Sequence, residues 1–192
     1  MKLHFILPAV LLICLAACKG NNGNGVRANT DTTSFLPVND FIMADVKDIE
    51  HTPYFIYKIV QMPDGQKDSS VIDAASVEKI ANRFLQNNFT DPDQKQYYTS
   101  SSFHDLSTKS YSFTYSSQSE KTPNKEILVL LDDETNSPKN IFIKRITEEE
   151  DSTITEQLNW RIHKSLQVSR SSVSKTGTER NETIFVNWND HH

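Results

Sequence analysis

The chain has 192 residues and a formal net charge of −5 at pH 7, with 36% hydrophobic and 23% charged residues. That balance describes a folded globular protein, since a disordered chain would be poorer in apolar residues. The mild acidity argues against nucleic acid, which requires a clustered basic surface. Glycine usage excludes more: of five glycines, Gly20, Gly23 and Gly25 crowd near the start and only Gly65 and Gly177 remain beyond. A phosphate-cradling loop needs several glycines so that backbone N–H groups approach the anion, so nucleotide-binding loops of that kind are not expected.

Met1-Lys2 gives a positive start, and Phe5 to Ala17 is apolar apart from Pro8. The stretch is shorter than the roughly 20 apolar residues a membrane span takes, and it fits a secretory signal. It ends Leu15-Ala16-Ala17-Cys18, which resembles the lipobox of bacterial lipoproteins. The resemblance implies cleavage after residue 17, a lipidated Cys18, and attachment to a membrane through that anchor. The two cysteines are Cys14, inside the leader, and Cys18, so no disulfide and no cysteine metal site is expected in the mature chain. Residues 19–34, rich in Asn, Gly and Thr, read as a tether. Lys19 after the lipidated cysteine resembles the outer-membrane class. Gly20-Asn21-Asn22 lacks the acidic residues of surface-exported lipoproteins of the Bacteroidota, so a periplasm-facing position is expected. The expected organisation is a signal peptide at 1–17, lipidated Cys18 and tether at 18–34, and one globular domain at 35–192.

Within that domain, Leu36 to Glu50 reads as a helix, with Val38, Ile42, Val46 and Ile49 on one apolar face. Tyr54 to Met62 and Lys67 to Ile72 read as a hairpin around Pro63-Asp64-Gly65. Asp73 is the expected N-cap of a second helix, Ala74 to Asn88. Gln94 to His104 reads as a short third helix with Tyr97, Tyr98 and Phe103 inward.

From Ser110 onward the pattern is β. Tyr111, Phe113 and Tyr115 alternate with Ser112, Thr114 and Ser116, giving one aromatic and one hydroxylic face. Ile127 to Leu131, Ile141 to Ile146, Thr153 to Ile162, Leu166 to Val173 and Thr183 to Trp188 follow as strands. In the fourth of these six segments, Leu158, Trp160 and Ile162 oppose Gln157, Asn159 and Arg161. The expected class is α+β: N-terminal helices and a β-hairpin packed on a C-terminal antiparallel meander of about six strands, with a small β-barrel as the alternative. The strand-rich tail Phe185-Val186-Asn187-Trp188-Asn189, with the lipobox, resembles uncharacterised small lipoproteins of the Bacteroidota. Asp31-Thr32-Thr33 and Asp151-Ser152-Thr153 resemble the O-glycosylation pattern of that phylum.

No catalytic set stands out. Asp132-Asp133-Glu134 with Asn136 has carboxylates at calcium-loop spacing, but the sixth and twelfth positions are Ser137 and Ile143 rather than Gly and Glu. A charged hairpin turn is the better reading. His104-Asp105 offers a base and an orienting carboxylate, yet no Gly-x-Ser-x-Gly elbow presents a nucleophile. Most aromatics are expected in the core, with Trp188, near the end of an exposed last strand, and Tyr98 as candidate ligand-binding residues. The sequence therefore points to a non-catalytic envelope lipoprotein with a binding or structural role, with an envelope protein or glycan as partner, and with no cofactor, metal or nucleic acid. The alternative is a periplasmic hydrolase or glycan-acting enzyme.

Overall fold

The computed structural model describes residues 35–86 and 88–189. Helix α1 (Val38–His51) presents Val38, Ile42, Val46 and Ile49 inward, the stripe that its spacing dictates. Strands β1 (Tyr57–Gln61) and β2 (Lys67–Val71) form the hairpin. Its turn carries Gly65 at φ +84°, a left-handed conformation that glycine adopts without a side-chain clash. Helix α2 (Ala74–Leu85) starts at Asp73, whose carboxylate accepts the Ser76 N–H at 2.9 Å. It buries Val77, Ala81 and Phe84.

The short helix α3 (Pro92–Lys95) is followed by β3 (Thr99–Asp105), β4 (Ser110–Ser116), β5 (Asn124–Asp132) and β6 (Pro138–Glu148). Then come β7 (Ser152–Arg161), β8 (Ser165–Ser174) and β9 (Glu179–Asn187). All pair antiparallel in one nine-stranded sheet of order β2-β1-β9-β8-β7-β6-β5-β4-β3. The α+β class is as the sequence implies, and each of the six expected strands is found. The sheet is open, with β2 and β3 at its edges, so the barrel alternative does not form.

Two features differ from expectation. The segment Gln94 to His104 is not a helix: only Pro92–Lys95 is helical, and Thr99–Asp105 pairs along its length with β4. A run of Thr and Ser competes poorly as helix but supplies backbone readily to an edge strand. Phe103 consequently faces solvent at 58% exposure instead of pointing inward. The hairpin does not pack over the meander but extends it, because β1 pairs with β9 from Tyr57↔Asn187 to Gln61↔Thr183. The second helix also stops at Leu85, short of Asn88.

Helices α1 and α2 cover one face of the sheet. Tyr115, Ile127, Val129, Ile141, Leu158 and Trp160 lie beneath them in one continuous core with Ile42, Val46 and Phe84. The Phe84 ring meets Trp160 edge-on at 5.1 Å between centroids. Trp160 is fully buried and Leu158 beside it likewise, whereas Gln157 on the opposite face is exposed. Trp160→Ala is therefore expected to destabilise the fold by about 3–5 kcal/mol, the usual cost of deleting a large buried aromatic. Gln157→Ala should stay within about 0.5 kcal/mol of the parent. Urea unfolding midpoints of the two variants check this; a harmless Trp160→Ala would contradict the assignment of faces.

Candidate functional site

The second face of the sheet carries no helix, and the register fixes which residues share it. One row runs Thr114–Leu128–Phe142–Asn159–Gln167–Phe185–Ile59 across β4, β5, β6, β7, β8, β9 and β1. The adjacent row runs Glu126–Lys144–Gln157–Ser169–Thr183–Gln61. Near the middle of this face lies a trough of about 340 Å³ lined by Leu128, Asn140, Phe142, Asn159 and Gln167 among others. A second depression of about 250 Å³ continues it, sharing Gln157 and Ser169 and reaching Thr155, Asn181 and Thr183. The residues lining the first trough are uncharged, whereas Arg170 and Glu182, opposite each other in register, also line the second.

Two polar groups in the trough are unusual. The Oδ1 atoms of Asn140 and Asn159 are both buried, and no protein donor reaches either one. An unpaired buried acceptor costs about 1–3 kcal/mol, so folding alone gives no reason to keep amides at these positions. Gln167 is exposed and its Nε2 donates to Ser169 Oγ at 3.1 Å.

The buried charged groups beneath the helices behave differently. Asp45 on α1 is 1% exposed. Its Oδ2 accepts the Trp160 indole N–H at 2.6 Å, and its oxygens accept the His163 backbone N–H at 3.0 and 3.1 Å. The His163 Nδ1 lies 2.9 Å from Asp45 Oδ1 and 3.4 Å from Asp48 Oδ2. His163 sits at φ +59° in the β7–β8 turn, and Asp45 holds that turn against the helix. Burial raises the Asp45 pKa above its ordinary 3.8, while the bonds from Trp160 and His163 pull it back.

Ligand atoms of Asp45, Asp48 and His163 lie within 4.8 Å of one another, a spacing a cation could use. Asp45 already accepts the Trp160 indole N–H and the His163 backbone N–H. The cluster is better described as a buried carboxylate satisfied by its own fold. A second network joins Arg145, 3% exposed, to Glu156 Oε2 at 3.2 Å and to Asn124 Oδ1 at 2.9 Å. Arg83 reaches the other oxygen of Glu156.

Among the residues singled out by sequence, Cys18 lies outside the described residues. Trp188 is not an exposed strand end: it is 4% exposed and packs 5.7 Å from the Trp160 ring. Period-two alternation from Val186 turns it under the helices rather than outward. Tyr98 is half-buried against Phe89, and its hydroxyl donates to the Asn124 carbonyl at 2.8 Å. Burial pushes its phenol up to about 12. Neither residue reaches the open face.

His104 does not pair with Asp105, since neighbours on a strand point to opposite sides. Its Nε2 meets Asp133 Oδ2 at 3.1 Å and its ring stacks on Tyr111 at 4.1 Å. Asp105 instead caps the β3–β4 turn through Ser107, which with Thr108 draws its pKa down to about 2. Asp132 likewise accepts from Thr135 within the β5–β6 turn and pairs with Lys139 at 2.9 Å, as a hairpin turn would have it.

The residues that sequence reasoning passed over are Asn140, Asn159, Phe142 and Gln167. Their signal was the uncharged polar face of the alternating strands, visible in Gln157 and Asn159 opposite Leu158. Comparison with family models, with curated proteins and with solved structures gave no match.

Two outcomes follow from these environments. Asn159→Leu should leave stability unchanged or raised by about 1 kcal/mol, because it removes an unpaired buried acceptor. A loss above about 2 kcal/mol in urea unfolding would mean that the amide is structurally paired. For Asp45, the folded state holds its proton to higher pH than the unfolded chain does. Its contribution is thus fully present below the unfolded value near 3.9 and is lost as pH rises through the raised folded value. The stability of the native protein relative to Asp45→Asn should therefore fall as pH rises from about 3.9 through that window. Paired urea midpoints between pH 3.5 and about 6.5 check the sign; an opposite slope would mean that the hydrogen bonds outweigh burial.

Proposed function

We propose that this chain is a membrane-anchored envelope lipoprotein with a non-catalytic binding role, exercised by the uncovered face of its sheet. One observation carries the reading: a nine-stranded sheet has helices on one side only, and the other side holds a continuous polar trough. Antiparallel sheets commonly leave one polar face to water; this one differs in holding buried amide oxygens without donors. Asp45 and Arg145 under the helices are satisfied by the fold, whereas the trough keeps two amide oxygens without donors. The anchor is the lipidated Cys18 implied by the lipobox, and the expected position is the outer membrane, facing the periplasm. No helix among the described residues is long and apolar enough to cross a membrane.

The enzymatic alternative receives no comparable support. His104 lies on an edge strand, engaged by Asp133 and Tyr111, away from the trough.

The test is made in cells. A photo-cross-linking residue in place of Gln157, on the open face, should give a discrete adduct on irradiation. The same residue in place of Glu50, exposed on α1, should not. Equal yields from both, or none from Gln157, would refute the face assignment. The anchor is checked separately by metabolic labelling with a fatty acid: Cys18→Ser should abolish the label, and an equally labelled mutant would refute the lipobox.

A further inference from the structure

We propose that the trough binds a neutral oligosaccharide. The proposal rests on the reading of the open face as the binding surface and adds the chemistry of its ligand. Three features of the central row narrow that chemistry. First, Asn159 and Gln167 are paired across β7 and β8 and flanked by Phe142 and Phe185 on the next strands out. The four side chains span three strand spacings, about 14 Å, with an aromatic ring at each end and amides between. A pyranose presents an apolar C–H face and a rim of hydroxyls. The faces fit aromatic rings, and the hydroxyls fit amides that both donate and accept.

Second, the row is electrically neutral. The row itself holds no cation, while Lys144 stands opposite Glu126 on one neighbouring row and Arg161 stands opposite Asn140 on the other. The central row thus offers hydrogen bonds and aromatic faces rather than charge to a partner. The length of the row favours an oligomer over a single ring.

Third, the Oδ1 atoms of Asn140 and Asn159 lack donors. Both residues line the trough, and rotation about the soft terminal amide torsion would turn the oxygen toward a ligand there. Hydroxyl groups of a sugar are donors of the right strength and number to meet both. A flat apolar ligand would leave them unpaired and would bind less well for that reason.

The experiment titrates full-length protein, held in a sugar-free detergent, by calorimetry. The probes are maltohexaose, cellohexaose, mannohexaose and chitohexaose, with hexagalacturonate as an acidic control and decanoate as an apolar one. At least one neutral hexasaccharide should bind, and hexagalacturonate and decanoate should not. Asn159→Leu and Gln167→Leu should each weaken that binding at least tenfold while the melting temperature holds, and Lys47→Ala on α1 should leave it unchanged. If no neutral hexasaccharide binds at millimolar concentration, or if both trough variants bind as the parent does, the proposal is overturned. Cross-linking at Gln157 separates the two levels. An adduct without sugar binding leaves the open face as a binding surface for another ligand class. Loss of both removes the face as well.

Discussion

The Asp45 carboxylate sets the relation between the helices and the sheet. It lies on α1, yet its partners are the indole of Trp160 and the backbone of His163, more than a hundred residues along the chain. Taking a carboxylate out of water costs several kcal/mol, and only well-placed donors offset it. Here two N–H groups from β7 and its following turn do so, and charge-assisted bonds of this kind are roughly twice as strong as neutral ones. The geometry that satisfies Asp45 fixes α1 over the middle of the sheet and seats Phe84 of α2 on the Trp160 ring. Both helices are thereby committed to one face. The bareness of the other face is a consequence of this anchor as much as of its own composition.

The chain uses polar residues in two distinct ways. Beneath the helices, Asp45, Arg145 and Glu156 are buried or nearly so, and each meets a charged or N–H partner. Arg145 closes the far end of the core, linking β6 to β7 and to Gln86 just after α2. Such networks are stable only when fully satisfied, and the low local dielectric that penalises an unpaired group strengthens a paired one. On the open face, amides and hydroxyls are spread along the register and few bond to one another. Polarity that the fold consumes fixes the architecture; polarity that it leaves unused stays free for a ligand.

Much of the architecture was legible in the sequence because period-two alternation is strict in strands with one covered face. Leu158, Trp160 and Ile162 against Gln157, Asn159 and Arg161 specify both strand and face, and the fold places them so. The stripe of α1 and the Asp73 cap of α2 were equally plain. Residues 99–105 were misread because pairing with β4, a tertiary event, outweighs local preference in a run of serines. The union of the hairpin with β9 was invisible for a similar reason: main-chain pairing between the first and last strands leaves no local pattern. Trp188 misled because its place near the chain end suggested exposure, while alternation from Val186 points it inward. The trough was half-legible. The uncharged faces of β7 and β8 could be read one at a time, but which amides stand side by side is set by register across strands joined by separate turns.

The edges and the entry point of the chain bear on why a face, rather than an edge, is the place to bind. An open sheet offers two ready templates for strand addition. Here β2 is only five residues long, exposed throughout, and carries Lys67 and Asp68, features that discourage pairing. At the other edge, β3 bears His104 tied to Asp133 and a turn capped through Asp105. With the β2 edge blunted, the broad face is the larger surface open for recognition. The chain enters the described fold at Phe35, whose ring stacks on Tyr115 at 5.0 Å and lies 5.7 Å from Phe89. Tyr115 belongs to the covered face, and its hydroxyl accepts the Leu36 N–H at 3.1 Å, fixing the entry on the helix side. Under the anchoring proposed above, the tether therefore joins the domain on the face opposite the trough. An anchor attached there holds the domain at the membrane without crossing the surface that recognises the ligand.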